Sequence, residues 1–297
     1  MIELLASSLR LATPLLFAAM GGLLCERSGV ATICLEGVML TGAFTAASVT
    51  AITQDPHLGV IAALIAGSFM MALHAFLTLY AKADHIVSAV AVNILASGLT
   101  PFLCKLLFGS PTNSESLPLE LRLRPFEFWP DALAILRQPW LVYLACVLPF
   151  LLQFAIYRTR WGLRLLAAGD GPEALSTSGV SVNQVRFIAL LWGGALASLG
   201  GVYLSISHAS QFTRDMTAGR GYIALTALIF GKWRPLPTLI ACLFFGFADA
   251  VQIRLQSASF LGMTFPVQLI QALPYLVTLI VLVGFVGRAR PPLAIGK

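Results

Sequence analysis

Residues 56–81 read PHLGVIAALIAGSFMMALHAFLTLYA, 26 positions from Pro56 to Ala81 without a single Asp, Glu, Lys or Arg. A helix needs about 18 to 20 predominantly apolar residues to cross a hydrocarbon core of roughly 30 Å. Only helices and closed barrels satisfy their backbone groups in lipid, and barrel strands alternate apolar and polar residues over about 10 positions. This run is continuously apolar and far longer, so it is read as a membrane-crossing helix.

Working outward, five more runs lack charge: 37–54, 86–104, 138–157, 187–213 and 255–287. The six cover 143 of 297 residues, and charged residues make up 11% of the chain, against about 25% in soluble domains. That excludes a typical water-soluble enzyme. The expectation is an all-α, polytopic transmembrane helical bundle of about eight to ten spans, one transmembrane domain over residues 1–297. Spans fall near 5–24, 29–54, 57–81, 86–108, 138–157 and 187–213, with two to four more between 219 and 287. Glu3 and a lone Arg10 before Leu11–Leu24 do not make a basic n-region, so the first segment is read as a mature helix, not a signal peptide.

The net charge of +6 sits in short loops beside the spans. It forms no single basic patch, so it reads as topology and not as a nucleic-acid surface. Residues 158–186 hold Arg158, Arg160, Arg164 and Arg186 against Asp170 and Glu173, and the tail holds Arg288, Arg290 and Lys297 without an acid. Both are expected to face the cytoplasm. The loop at about 109–137, counted with Lys105, balances four bases against four acids and is expected outside.

Catalytic signatures are missing. Thr226 stands where a phosphate loop ending in Gly231-Lys232 needs its first glycine, so this chain is not expected to hydrolyse ATP. His57, His74, His85 and His208 show no H-E-x-x-H spacing, and no metal is expected. Cys25, Cys34, Cys104, Cys146 and Cys242 form no Cys-x-x-Cys pair and read as buried thiols.

Two segments interrupt the apolar pattern. Charges and two glycines break Glu26–Gly37, while Gly219–Phe230 and Pro235–Asp249 are both short and flank Gly231–Pro235, which predicts half-helices or a re-entrant pair. Broken helices that offer backbone polar groups to a solute are a transporter signature. Glu36 and Asp249, beside Asn93 and Gln252, are the acids expected at membrane depth. Ionisable groups there default to function, the alternative being interfacial pairing with Arg27 or Arg254. Gly193, Ala197, Gly201 and Ser205 recur every fourth residue and let another helix approach closely, within the subunit or across a subunit interface.

The most informative loop runs Trp161-Gly162-Leu163-Arg164-Leu165-Leu166-Ala167-Ala168-Gly169-Asp170-Gly171-Pro172-Glu173-Ala174-Leu175, then Gly179. Pro172 with Asp170 and Glu173 is sound chemistry for starting a short helix that could dock on a soluble partner. This loop resembles the coupling region of permease subunits of ABC importers of the branched-chain amino acid and ribose class, which read Gly-x-x-x-Arg-Ala-x-Gly-x-Asn-Pro-x-Ala-Ala. Thr13–Phe44, with Gly21-Gly22, Glu26–Val30 and Leu35–Met39, is similar to the nucleoside-type subset, as are Ser88–Ala96 around Asn93 and Gly219–Gly231. Leu166, Gly171 and Leu175 stand where the family has Arg, Asn and Ala, and Thr32 and Cys34 where it has Asn and Gly.

The resemblance implies a permease subunit in the bacterial inner membrane, embedded in lipid, without a cofactor of its own. It implies a partner ATPase that binds ATP and docks on Gly162, Arg164, Gly169, Asp170, Pro172, Glu173, Ala174 and Gly179. It also implies a second similar permease and an extracytoplasmic solute-binding protein. The solute would be a nucleoside or related compound, with a sugar or branched-chain amino acid as the alternative. Polarity and helix breaks put Thr32, Glu36, Asn93 and Asp249 on its path. A self-sufficient ion-coupled transporter using Glu36 or Asp249 is the rival reading, and an intramembrane enzyme a distant third.

Overall fold

The computed structural model describes residues 2–118, 121, 138–256 and 291–296. The spans expected within 257–287, and most of the acids and bases of the 109–137 loop, lie outside the described residues. Among the described residues the chain is all helical: α1 Ile2–Arg27, α2 Leu35–Thr53, α3 Pro56–Ala75, α4 His85–Phe108, α5 Trp140–Arg158, α6 Arg160–Asp170, α7 Pro172–Thr177, α8 Val182–Val202, α9 Arg220–Phe230 and α10 Pro235–Gln256. α3 and α8 run on as π-helical turns, Phe76–Tyr80 and Tyr203–Ala209. Seven of these helices are long and apolar enough to cross a membrane.

Local chemistry sets the helix starts. Asp55 precedes Pro56 and accepts from the His57 N–H at 2.8 Å. Asp84 accepts from the Ile86 and Val87 N–H groups. Thr159 Oγ1 takes the Gly162 N–H at 3.1 Å, and Ser181 caps α8. Each satisfies donors that the first helical turn leaves without an intrahelical partner.

α1 is the axis of the bundle. Of its most apolar stretch 83% is buried, against 28% for α4, whose outer face leaves Ile86, Val87, Phe102 and Leu106 exposed. α8 crosses α1, α2 and α3 at close range. A Cβ on Gly193 would lie 2.8 Å from the Gly21 carbonyl, one on Gly67 2.6 Å from the Gly194 carbonyl, and one on Gly201 2.6 Å from the Ala43 nitrogen. The Gly193, Ala197, Gly201 stripe therefore serves packing inside this chain, where small residues let backbones meet without a hydrophobic drive between helices.

Three local expectations are corrected. The span expected from residue 29 begins at Leu35, because Gly29 adopts φ +96° and ends α1. Pro235–Asp249 is not a half-helix: α10 runs on to Gln256, since no glycine or proline lies between Asp249 and Gln256, and Arg254 lies 3.9 Å from Glu3. Arg160–Asp170 is a helix in its own right, amphipathic with Gly162, Leu165, Ala168 and Gly169 turned inward, where only the piece after Pro172 was expected to be helical. α9, too short to cross, is as expected.

A braced helix break and a helical loop

The break between α1 and α2 is built from Ser28–Cys34. Gly29 N–H donates to the Glu26 carbonyl (3.0 Å) and Val30 N–H to the Cys25 carbonyl (3.3 Å). This paired pattern around a left-handed glycine is a Schellman stop. Ser28, Val30, Thr32 and Cys34 are fully buried, so the non-helical backbone has no water to turn to. Other elements supply the partners. His85 Nδ1 accepts from the Ala31 N–H at 3.2 Å, and His74 Nε2 meets the Ala31 carbonyl at 3.1 Å. A ring nitrogen facing a carbonyl must carry a proton, so His74 donates there and its Nδ1 accepts from Ser88 Oγ, 2.9 Å away. Buried Glu26 accepts from Trp233 Nε1 and from the Thr32 backbone.

Asn93 on α4 does the most. Its Oδ1 accepts from the Gly37 N–H at 2.8 Å, and its Nδ2 donates to the Ile33 carbonyl and to Tyr222 Oη, both at 3.1 Å. Glu36, one residue into α2, reaches across to the start of α9. Its two carboxylate oxygens accept from the Gly219 N–H (2.8 Å) and the Gly221 N–H (2.7 Å). α9 has no side-chain cap of its own, and a carboxylate at the positive end of a helix is the favoured partner there. These contacts frame a cleft of about 370 Å³ lined by Glu36, Gly37, Asn93, Ser97, Asp215 and Tyr222, with Tyr222 45% exposed.

Of the residues singled out in the sequence, Glu36 and Asn93 meet in this cleft. Thr32 lies just behind it, with a buried hydroxyl that has no hydrogen-bond partner among the described residues. Asp249 does not line it; it sits on α10 within electrostatic reach of Arg220. Tyr222, His74 and His85 were passed over. A histidine inside a charge-free run of this length was the available signal for His74.

At the far end of α5 the loop folds as α6 and α7. Leu165, Ala168 and Leu175 are buried, with Ala168 and Leu175 packed beside Val185 of α8. Leu163, Arg164, Asp170, Glu173 and Ala174 face outward, with Leu163 69% exposed. Gly162 sits against the Ile156 carbonyl, where a Cβ would overlap backbone. Gly179 takes φ +81° and ends α7, with the Val180 N–H on the Leu175 carbonyl.

Backbone that leaves the helical ladder deep inside a membrane bundle is tolerated beside a path through the protein, and a chain organised around such a break is a membrane transport subunit. It belongs to the family described as branched-chain amino acid transport system / permease component, whose model matches residues 4–286. The chain is thus the permease component of an ABC transporter, a multi-pass protein of the inner membrane. It is 36% identical over 304 residues to the guanosine ABC transporter permease protein NupQ of Bacillus subtilis, covering 96% of this chain and 92% of that one. It is 31% identical over 307 residues to the nucleoside ABC transporter permease protein NupC of Lactococcus lactis, covering 99% and 95%. A Haloferax volcanii permease, TsgC13, whose name points to glucose, is 35% identical over 263 residues, covering 86% and 78%. Family membership sets aside the ion-coupled and enzymatic alternatives.

Proposed function

We propose that this permease imports a nucleoside through the cleft beside Glu36 and Asn93. The carrying observation is that cleft. Its volume of about 370 Å³ lies within the range of roughly 300–1,000 Å³ usual for small-molecule sites. It opens beside a braced helix break, and it combines the exposed ring of Tyr222, suited to stack on a base, with Ser97 and Asp215, suited to ribose hydroxyls. Two relatives named for nucleosides or guanosine, matched over nearly their whole length, support the same class. Thr32 lies within the break and Asp249 on α10, where they contribute to the path and not to the cleft.

In this reading α6 and α7 face the cytoplasm and receive an ATPase on the exposed Leu163, Arg164, Asp170, Glu173 and Ala174. ATP is bound and hydrolysed on that partner, and this chain carries no cofactor. A second, similar permease completes the path, and an extracytoplasmic binding protein delivers the solute.

The test is uptake of radiolabelled guanosine, adenosine and uridine by cells expressing the transporter, with unlabelled nucleosides, glucose or ribose as competitors. Nucleoside uptake that needs the ATPase and falls with Tyr222→Ala supports the proposal. Uptake competed by glucose alone replaces it with the sugar reading that TsgC13 favours.

A further inference from the structure

Three links join the end of α6 to the helix break. The first is Arg186, 8% exposed in the second turn of α8. It donates from Nε to the Ser28 carbonyl at 3.0 Å and from Nη2 to the Ala168 carbonyl at 3.2 Å. One planar guanidinium thus holds two backbone carbonyls that belong to two different elements. Arginine is suited to this because its donors sit in a rigid fork. The second link is direct contact: Gly169 lies against the Arg27 carbonyl with no room for a Cβ. The third is the end of the chain. Ala294 N–H donates to the Gly169 carbonyl at 2.9 Å, and Gly296 N–H donates to the Gly29 carbonyl at 3.2 Å. Pro292 and Ala294 are buried at this junction.

The arrangement separates the two faces of the break. On one side His74, His85 and Asn93, all from α3 and α4, hold Ala31 and Ile33. On the other, Arg186 and the tail hold Ser28 and Gly29. The segment between them leads straight into Glu36 and Gly37 at the cleft. Six residues of backbone, Val30–Leu35, thus separate the groups bonded to Arg186 and the tail from Glu36 at the cleft.

We infer that Arg186 and the strap Pro292–Gly296 transmit movement of the α6–α7 loop to the α1–α2 break, making Arg186 a positioning residue that couples ATP turnover to solute movement. The inference rests on the reading of α6–α7 as the ATPase-facing loop. Its signature is a changed ratio of solute imported to ATP hydrolysed, which a purely structural role leaves unchanged.

The experiment uses the whole transporter, purified with its ATPase and binding protein and reconstituted in vesicles. Uptake and ATP hydrolysis are measured together for the parent, Arg186→Gln, Arg186→Lys and Ala294→Pro. Coupling residues shift linked equilibria by factors of roughly 2 to 30. Arg186→Gln is expected to lower solute imported per ATP by about tenfold while hydrolysis persists. Arg186→Lys, which keeps the charge but not the fork, falls between it and the parent. Ala294→Pro, which removes the N–H on the Gly169 carbonyl and fixes the backbone there, gives a smaller drop and keeps the inference testable if Arg186→Gln does not fold. A ratio unchanged in all three variants overturns the inference. A photo-crosslinker at Leu163 separates the two readings: capture of the ATPase with an unchanged ratio leaves the docking surface standing and removes the coupling role, whereas no capture removes both.

Discussion

Glu36→Gln is the sharpest single perturbation of the site. In the parent, one carboxylate caps α9 by accepting from two backbone N–H groups, at 2.8 and 2.7 Å. A glutamine oxygen can take one of them, and its NH₂ then confronts the other. The change therefore weakens one charge-assisted bond, worth roughly 1.5–3 kcal/mol, to a neutral one of about 0.5–1.5, and orphans a donor at about 1–3 kcal/mol. Loss of charge at the helix N-terminus adds about 0.3–1 kcal/mol. Glu36 is half-buried, so water recovers part of this, leaving about 2–3 kcal/mol. For a chain of this size that is a fall of roughly 3–5 °C in Tm. The assay is thermal unfolding of the purified protein in mild detergent, combined with hydrogen exchange at Gly219 and Gly221. An unchanged Tm, with those two amides as protected as in the parent, would refute the claim that this carboxylate holds α9. A glutamate used as an ion carrier, by contrast, would lose transport without loosening α9.

Three further outcomes follow from the same geometry. Trp233→Phe removes the Nε1–H that serves the Glu26 carboxylate, which is 5% exposed. It should destabilise by about 1–3 kcal/mol, and pairing it with Glu26→Gln in a double-mutant cycle should recover much of that loss. Gly169→Val drives a side chain into the Arg27 carbonyl, so α6 cannot seat; limited proteolysis should cut within 158–186 in the variant and spare the parent. All five thiols are free, and only Cys146 is not buried. A maleimide should modify at most Cys146 in the native protein and all five sites in denaturant.

The spans were legible because charge is costly in lipid: each charge-free run within the described residues became a helix. The same signal broke α10 too early, since Asp249 looks like an end in a hydropathy reading while no glycine or proline interrupts the backbone between Asp249 and Gln256. Gly29 ended α1 by its backbone conformation, a local property, and was visible as an interruption. The cleft was only half legible. Polarity marked Glu36 and Asn93 as expensive residues but could not say what they hold, because Gly219 lies 183 residues from Glu36 and Tyr222 lies 129 from Asn93. Polarity equally marked Asp249, which faces elsewhere, since cost in lipid identifies a residue and not the cavity it borders. Arg186 was counted as a loop charge because it stands next to a long apolar run; its burial and its two carbonyl partners come only from the packing of α6 and α1.

The helix break also has a consequence for the order in which the chain settles during synthesis. Ala31 finds its partners 43 and 54 residues later, at His74 and His85, and Ile33 finds Asn93 60 residues later. Ser28 waits 158 residues for Arg186, and Glu26 waits 207 for Trp233. The first two helices therefore enter the bilayer with a joint whose polar groups only later helices can complete. Nascent chains halted before α4 should leave the Ala31 and Gly37 amides open to exchange, and chains extended past Asn93 should protect them.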